Sequence, residues 1–108
     1  VLAVAADLGS IAMMDKDLDR ATITGGASIY PFCWSVLLSA RARGLGGVIT
    51  TFASRVEPTT GALLNLPDNW ALAATIFLGY PIKQTTKLAR RPVESFTTVN
   101  TFDGPVFS

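Results

Sequence analysis

The segment from Ser28 to Gly44 constrains this chain more than any other. Ser28 suits a helix N-cap, and Pro31 falls in the first turn, where its missing N–H costs little. Ile29, Phe32, Cys33, Val36 and Ala40 then follow helical spacing on one face, and Tyr30, Trp34, Leu37 and Leu38 form a second apolar surface beside it. Arg41 and Arg43 complement the dipole at the C-terminal end, and Gly44 stops the helix. A helix apolar on two faces is buried on both, in the core of something larger or in a subunit interface. Any fold for this chain has to cover both.

The remainder of the chain has little with which to do so. Its 108 residues suffice for one domain, which at this size buries roughly two-thirds of its unfolded surface. Apolar residues make up 49% and charged residues only 16%, against a usual charged share of about 25%. So little charge cannot clothe a small domain, and the imbalance predicts burial against a missing half, a partner subunit, or both. Val1 reads as a cut point, because the chain opens directly on an apolar run without an initiator methionine, a basic segment or a cleavage pattern.

Around the helix, a layered α+β or α/β arrangement is expected, in the order strand, helix, strand, short helix, strand, arm. Val1 to Leu8 reads as a buried strand, with a helical segment as the alternative, the β-branched Gly47 to Phe52 reads as a strand, and Trp70 to Gly79 as another buried one. Pro58 suits the first turn of a short helix through Leu64, and Leu66 to Asn69 form a turn. Beyond Pro81 the chain turns polar, and residues 81–108 lack the apolar residues for a core of their own. They read as an arm running over another surface.

Several chemistries are disfavoured. A net charge of +1 gives no field for nucleic acid or an anionic membrane. The longest nearly continuous apolar stretch, Trp70 to Ile82, falls short of the roughly 20 residues a bilayer span needs. Cys33 is the only cysteine, which excludes an internal disulfide and favours a cytoplasmic protein. On an apolar helix face it reads as a packed, inert thiol. With no histidine, the Ser-His and Cys-His nucleophile pairs and the usual zinc sets are gone, and no metal is expected.

Three local patterns remain. Asp15, Asp17 and Asp19 have the spacing that opens an EF-hand loop, but Arg20 and Gly26 stand where that loop needs Gly and Glu, so they read as a solvated charged turn. Gly44-Leu45-Gly46-Gly47 follows a helix and opens a strand, the reverse of a dinucleotide loop. A glycine helix stop is the simpler reading, although glycines also let backbone approach a flat ligand. Lys83, Lys87, Arg90 and Arg91 form either a phosphate clamp or a solvated basic segment.

Read together, three stretches resemble the FMN-binding nitroreductase family, particularly actinobacterial-type members. They are Ala27 to Arg41 running into Gly44-Leu45-Gly46-Gly47; Leu66-Pro67-Asp68 leading through Ala71 to Ala74 into Leu78-Gly79-Tyr80-Pro81; and Arg90-Arg91-Pro92-Val93-Glu94-Ser95-Phe96. The resemblance spans nearly all of residues 1–108, as the C-terminal part of such a domain. It implies an α+β nitroreductase-like layered fold with a long central helix, a mainly antiparallel sheet and an extended C-terminal arm over 81–108 that wraps a partner. It further implies a homodimer with FMN at the subunit interface, NAD(P)H as co-substrate, and a nitroaromatic, quinone or related small molecule as acceptor. Ile49, Thr50 and Thr51 match the positions that bring backbone groups to the flavin. Arg90, with Lys87 and Arg91 as close alternatives, matches the residue that holds the FMN phosphate. No side chain takes a catalytic role, since the cofactor carries the chemistry. Many members have glycine or an acidic residue where Thr51 and Phe52 stand, and the family's N-terminal basic phosphate-binding segment has no counterpart here. On this resemblance 1–108 alone is not expected to bind FMN well. A non-catalytic flavin-binding or flavin-sequestering protein on the same fold, and a dimerisation unit without flavin, are the alternatives.

Overall fold

In the computed structural model, which describes residues 1–107, a three-stranded antiparallel sheet carries one long helix on a face. The strands are β1 (Leu2–Asp7), β2 (Gly46–Thr50) and β3 (Trp70–Gly79), and the helices are α1 (Tyr30–Ala42) and α2 (Glu57–Leu64). The fold is α+β.

The sheet order is β1-β3-β2, so the last strand in the chain lies in the middle and runs antiparallel to both neighbours. Placing β3 centrally follows from its length and apolarity. Ten residues can pair with β1 along one edge and β2 along the other, and Leu72, Ala74 and Ile76 become buried. Register aligns Leu2 with Ile76 and Val4 with Ala74 on one side, and Ile49 with Ile76 on the other. Opposed residues share a face, which concentrates side chains beneath α1. There Cys33, Ala74 and Ile76 form the centre, flanked by Val4, Ile29, Val36, Leu37, Ile49 and Leu78.

β1 and β3 slip register between Val4 and Ala5, leaving Ala73 without an opposite residue. Such a bulge bends the strand and re-aims its carbonyls; here the Tyr30 hydroxyl donates to the Ala73 carbonyl at 3.4 Å. On the other edge, β2 ends at Thr50, so the first half of β3 would be left unpaired. A 3-10 turn over Phe52–Val56 and the start of α2 occupy that place. The Leu72 N–H donates to the Glu57 carboxylate at 2.5 Å, and the Ser54 hydroxyl donates to the Leu72 carbonyl at 2.5 Å. Two side chains thus stand in for the missing strand and protect an otherwise open edge.

The helix differs from expectation at its start. Residues Thr24–Ser28 already form a 3-10 turn, Ile29 is the N-cap, and no side chain caps it. Ser28 is held inside a turn and lacks the extended backbone an N-cap needs. The predicted stop holds: Gly44 has φ of +79°, a conformation that favours glycine. The expected seam is largely right, with Cys33 and Ala40 buried and Ile29 and Val36 against the core. Phe32, however, is 57% exposed, whereas Leu37 packs inward. At about 100° per residue, Leu37 lies close to the line through Cys33 and Ala40, and Phe32 lies to one side of it.

Gly47 is favoured by packing. A Cβ there would lie 2.7 Å from both Leu37 Cδ2 and Leu78 Cδ2 and 3.2 Å from the Phe77 carbonyl. The side chain of Leu37 from the helix fills the space a Cβ would take. Gly47→Ala is expected to cost about 1–3 kcal/mol by overpacking, read as a lowered denaturation midpoint, whereas Gly61→Ala, with open space around its Cβ position, serves as the unstrained control.

Little else is covered. Tyr30, Trp34 and Leu38 are exposed along a flank of α1, and the opposed pair Val48 and Phe77 is exposed on the sheet. The expectation that both faces of the helix are buried is therefore met on one side only within this chain. The accessible surface is 8648 Å², against about 5,800 Å² for a compact chain of this mass. The radius of gyration is 17.8 Å, where about 13 Å is usual. Residues 81–107 contribute to this spread. They hold one 3-10 turn, Val93–Ser95, and a closing loop in which Thr98 bridges to Val106. The last residue of the expected arm lies outside the described residues.

Candidate functional site

β2 is an edge strand, paired with β3 on one side only, so alternate residues turn their N–H and C=O groups away from the sheet. Where it ends, a cleft of about 490 Å³ opens between it and α1, lined by Tyr30, Trp34, Ile49, Thr50 and Thr51. This volume lies within the roughly 300–1,000 Å³ usual for small-molecule sites. The apolar walls are Ile49 and the exposed indole of Trp34. The turn that follows uses some of the local polar groups: the Thr50 hydroxyl accepts from the Phe52 N–H at 3.1 Å, and the Thr51 carbonyl accepts from the Ser54 N–H at 3.1 Å.

Ile49, Thr50 and Thr51 are thus brought together in one concave site with two aromatic side chains. The basic candidates are not. Lys87, Arg90 and Arg91 are exposed in the tail, and none joins the lining of this cleft. The Arg90 guanidinium donates to the Ala89 carbonyl at 3.1 Å, and that of Arg91 lies 5.6 Å from the Phe96 ring centre, within cation–π range.

A second cavity, of about 420 Å³, lies on the other side of Tyr30. Ala6, Ala71 and Ala73 floor it, and Met13, Ile23 and Ile29 wall it. The loop forming that wall is organised by Asp15. This carboxylate is buried and accepts from the Thr24 hydroxyl, from the Ile23 N–H at 2.9 Å, from the Thr24 N–H at 3.3 Å and from Arg20 at 2.6 Å. The Thr24 hydroxyl and the Ile23 N–H, followed by Arg20 and the Thr24 N–H, hold the Asp15 carboxyl well below the usual carboxylate range, against an opposing effect of burial. A solvated turn describes Asp17 and Asp19, both exposed, but not Asp15. Three aspartates at alternate positions look alike in sequence; only the return of Ile23 and Thr24 to one of them distinguishes it.

Cys33 is a free, fully buried thiol. Among the described residues no group of three or more His, Cys, Asp or Glu side chains is placed to hold a metal ion, and no helix is long and apolar enough to cross a membrane. No protein-family model matches the chain, and a search of curated proteins gave no significant match.

Proposed function

We propose that this chain is the C-terminal part of an FMN-dependent NAD(P)H oxidoreductase of nitroreductase-like layered fold, reducing nitroaromatic, quinone or related acceptors as a homodimer. The observation that carries the reading is the cleft at the end of β2, where Ile49, Thr50 and Thr51 meet the Trp34 indole beside an open strand edge. A planar heterocycle needs such a surface: an aromatic or aliphatic wall against its face, and backbone donors and acceptors at its rim. FMN, when bound, supplies the hydride chemistry, which is why no acid–base pair is required of the protein.

The chain's own part is to bind, orient and exclude water. Trp34 and Ile49 offer the apolar wall, and the outward backbone of β2 offers the polar rim. Arg90, with Lys87 and Arg91, is assigned to the phosphate; its exposure leaves it free to pair with an anion. The uncovered surfaces of α1 and of the sheet support a partner subunit. The surface exceeds that of a compact chain of this mass by roughly 2,800 Å², which leaves ample area for a partner to cover.

The test is the visible spectrum of the purified intact protein, of which residues 1–108 are the C-terminal part on this reading, with added FMN, followed by NADPH and NADH under anaerobic conditions. Flavin bands that bleach on addition are expected, and Trp34→Ala and Arg90→Ala are each expected to weaken FMN retention by about tenfold or more. A bound flavin that stays oxidised would mean a flavin-binding protein without turnover. A colourless protein that takes up no FMN would remove the flavin altogether.

A further inference from the structure

Along the flank of α1 from Trp34 to Arg41 lies another cleft, of about 340 Å³, whose polar groups the flavin reading does not use. We propose that it binds the carboxylate of a small aromatic acid. Arg41, from the last turn of α1, and Lys83, from the segment after β3, line it together with Gln84 and Thr85, and the floor includes Trp34 and Leu37. Among the described residues the only ion pair is Asp15 with Arg20, so neither Arg41 nor Lys83 has a carboxylate partner. Arg43, nearby in sequence, is by contrast turned back onto the Ser39 carbonyl at 3.2 Å. Gln84 supplies an independent sign: its Nε2 is closed off from solvent with no acceptor, the one buried side-chain polar atom so placed among the described residues. Buried donors are rarely left orphaned unless something else completes them.

Charge calls for an anion, and the apolar lining selects which one. Arg41 and Lys83 face one cleft and repel each other unless an anion lies between them. The C-terminal end of α1 adds about half a negative charge. The net field stays positive and attracts an anion of either charge, so it is the apolar floor that favours a carboxylate carried on a ring over inorganic phosphate. The guanidinium fork of Arg41 matches a carboxylate's two oxygens, with Lys83 as a point charge and Thr85 and the Gln84 amide as further donors. Trp34 and Leu37 leave an apolar floor for the ring. Sequence reasoning grouped Lys83 with Lys87, Arg90 and Arg91, but the fold separates Lys83 from them and sets it against Arg41.

The inference does not depend on flavin binding, and its test is run without FMN. Benzoate binding is measured by calorimetric titration, with inorganic phosphate as the comparison anion. Saturable benzoate binding tighter than that of phosphate is expected, and Arg41→Gln and Lys83→Met, both at exposed positions, should each weaken it about tenfold or more. Gln84→Leu should weaken benzoate binding yet raise the thermal midpoint of the unliganded protein, because it removes an orphaned donor; a Gln84 with a purely structural role would lower that midpoint. Absence of saturable binding, or benzoate affinity unchanged in Arg41→Gln and Lys83→Met, would overturn the site. Tighter binding of phosphate than of benzoate would overturn the carboxylate assignment.

Discussion

Replacing Ile76 with alanine is expected to remove about 2–5 kcal/mol of stability, enough to unfold much of the population at ordinary temperature. Ile76 is fully buried in the second half of β3, opposite Leu2 on one neighbour and Ile49 on the other, and it packs in the cluster that includes Cys33 of α1. One side chain therefore ties all three strands to the helix. The core is small, with only six buried apolar residues among those described, so little remains to collapse into the cavity. Urea denaturation followed by circular dichroism checks this, with Phe77→Ala as the control. Phe77 is the next residue on the same strand but is 46% exposed on the opposite face. If Phe77→Ala proves as costly as Ile76→Ala, the face beneath α1 is not where this chain holds together.

Asp15→Ala is expected to disorder the loop between β1 and α1 while leaving the sheet in place. Four donors converge on that carboxylate, and the substitution leaves the Thr24 hydroxyl and the Ile23 and Thr24 N–H groups without their acceptor, while Arg20 keeps the Ala21 carbonyl. Lys16 and Arg20 are exposed in the same loop, so trypsin reports on it directly: cleavage at these positions should accelerate about tenfold or more, because proteolysis follows the open population. Unchanged cleavage with an intact sheet would show that the loop is held by its apolar contacts instead.

The pH dependence has a definite sign. The folded state holds the Asp15 carboxyl below its ordinary value, led by the Thr24 hydroxyl, the Ile23 N–H and Arg20. Its contribution is fully present above the unfolded value of about 3.9 and is lost as pH falls through the folded value. An acid-stable protease assay should find the loop protected near pH 5, with protection declining only below about pH 4. Asp15→Ala should show no such dependence at this site.

The site was legible only in part. Ile49, Thr50 and Thr51 could be proposed from the strand after the glycine turn, and they do line one cleft. Tyr30 and Trp34, which complete it, were readable only as helix surface, because nothing local shows which neighbour an exposed aromatic will face. Ser54 and Glu57 gave no signal at all. Their role depends on β2 ending four residues before Ser54 and leaving the Leu72 N–H and C=O to be paired.

The elements themselves were determined locally. Ten apolar and β-branched residues from Trp70 to Gly79 make a strand, Pro58 opens a short helix, and Gly44 ends the long one by entering the left-handed region. These are choices of backbone conformation, made by side chains within a few residues of one another. Which strand lies in the centre, which of three aspartates is buried, why a Cβ at Gly47 would crowd Leu37 and Leu78, and which cation shares a cleft with Arg41 are matters of contact between residues distant in sequence. The alternating and helical periods specify a face but not its partner, and only packing in three dimensions supplies the partner.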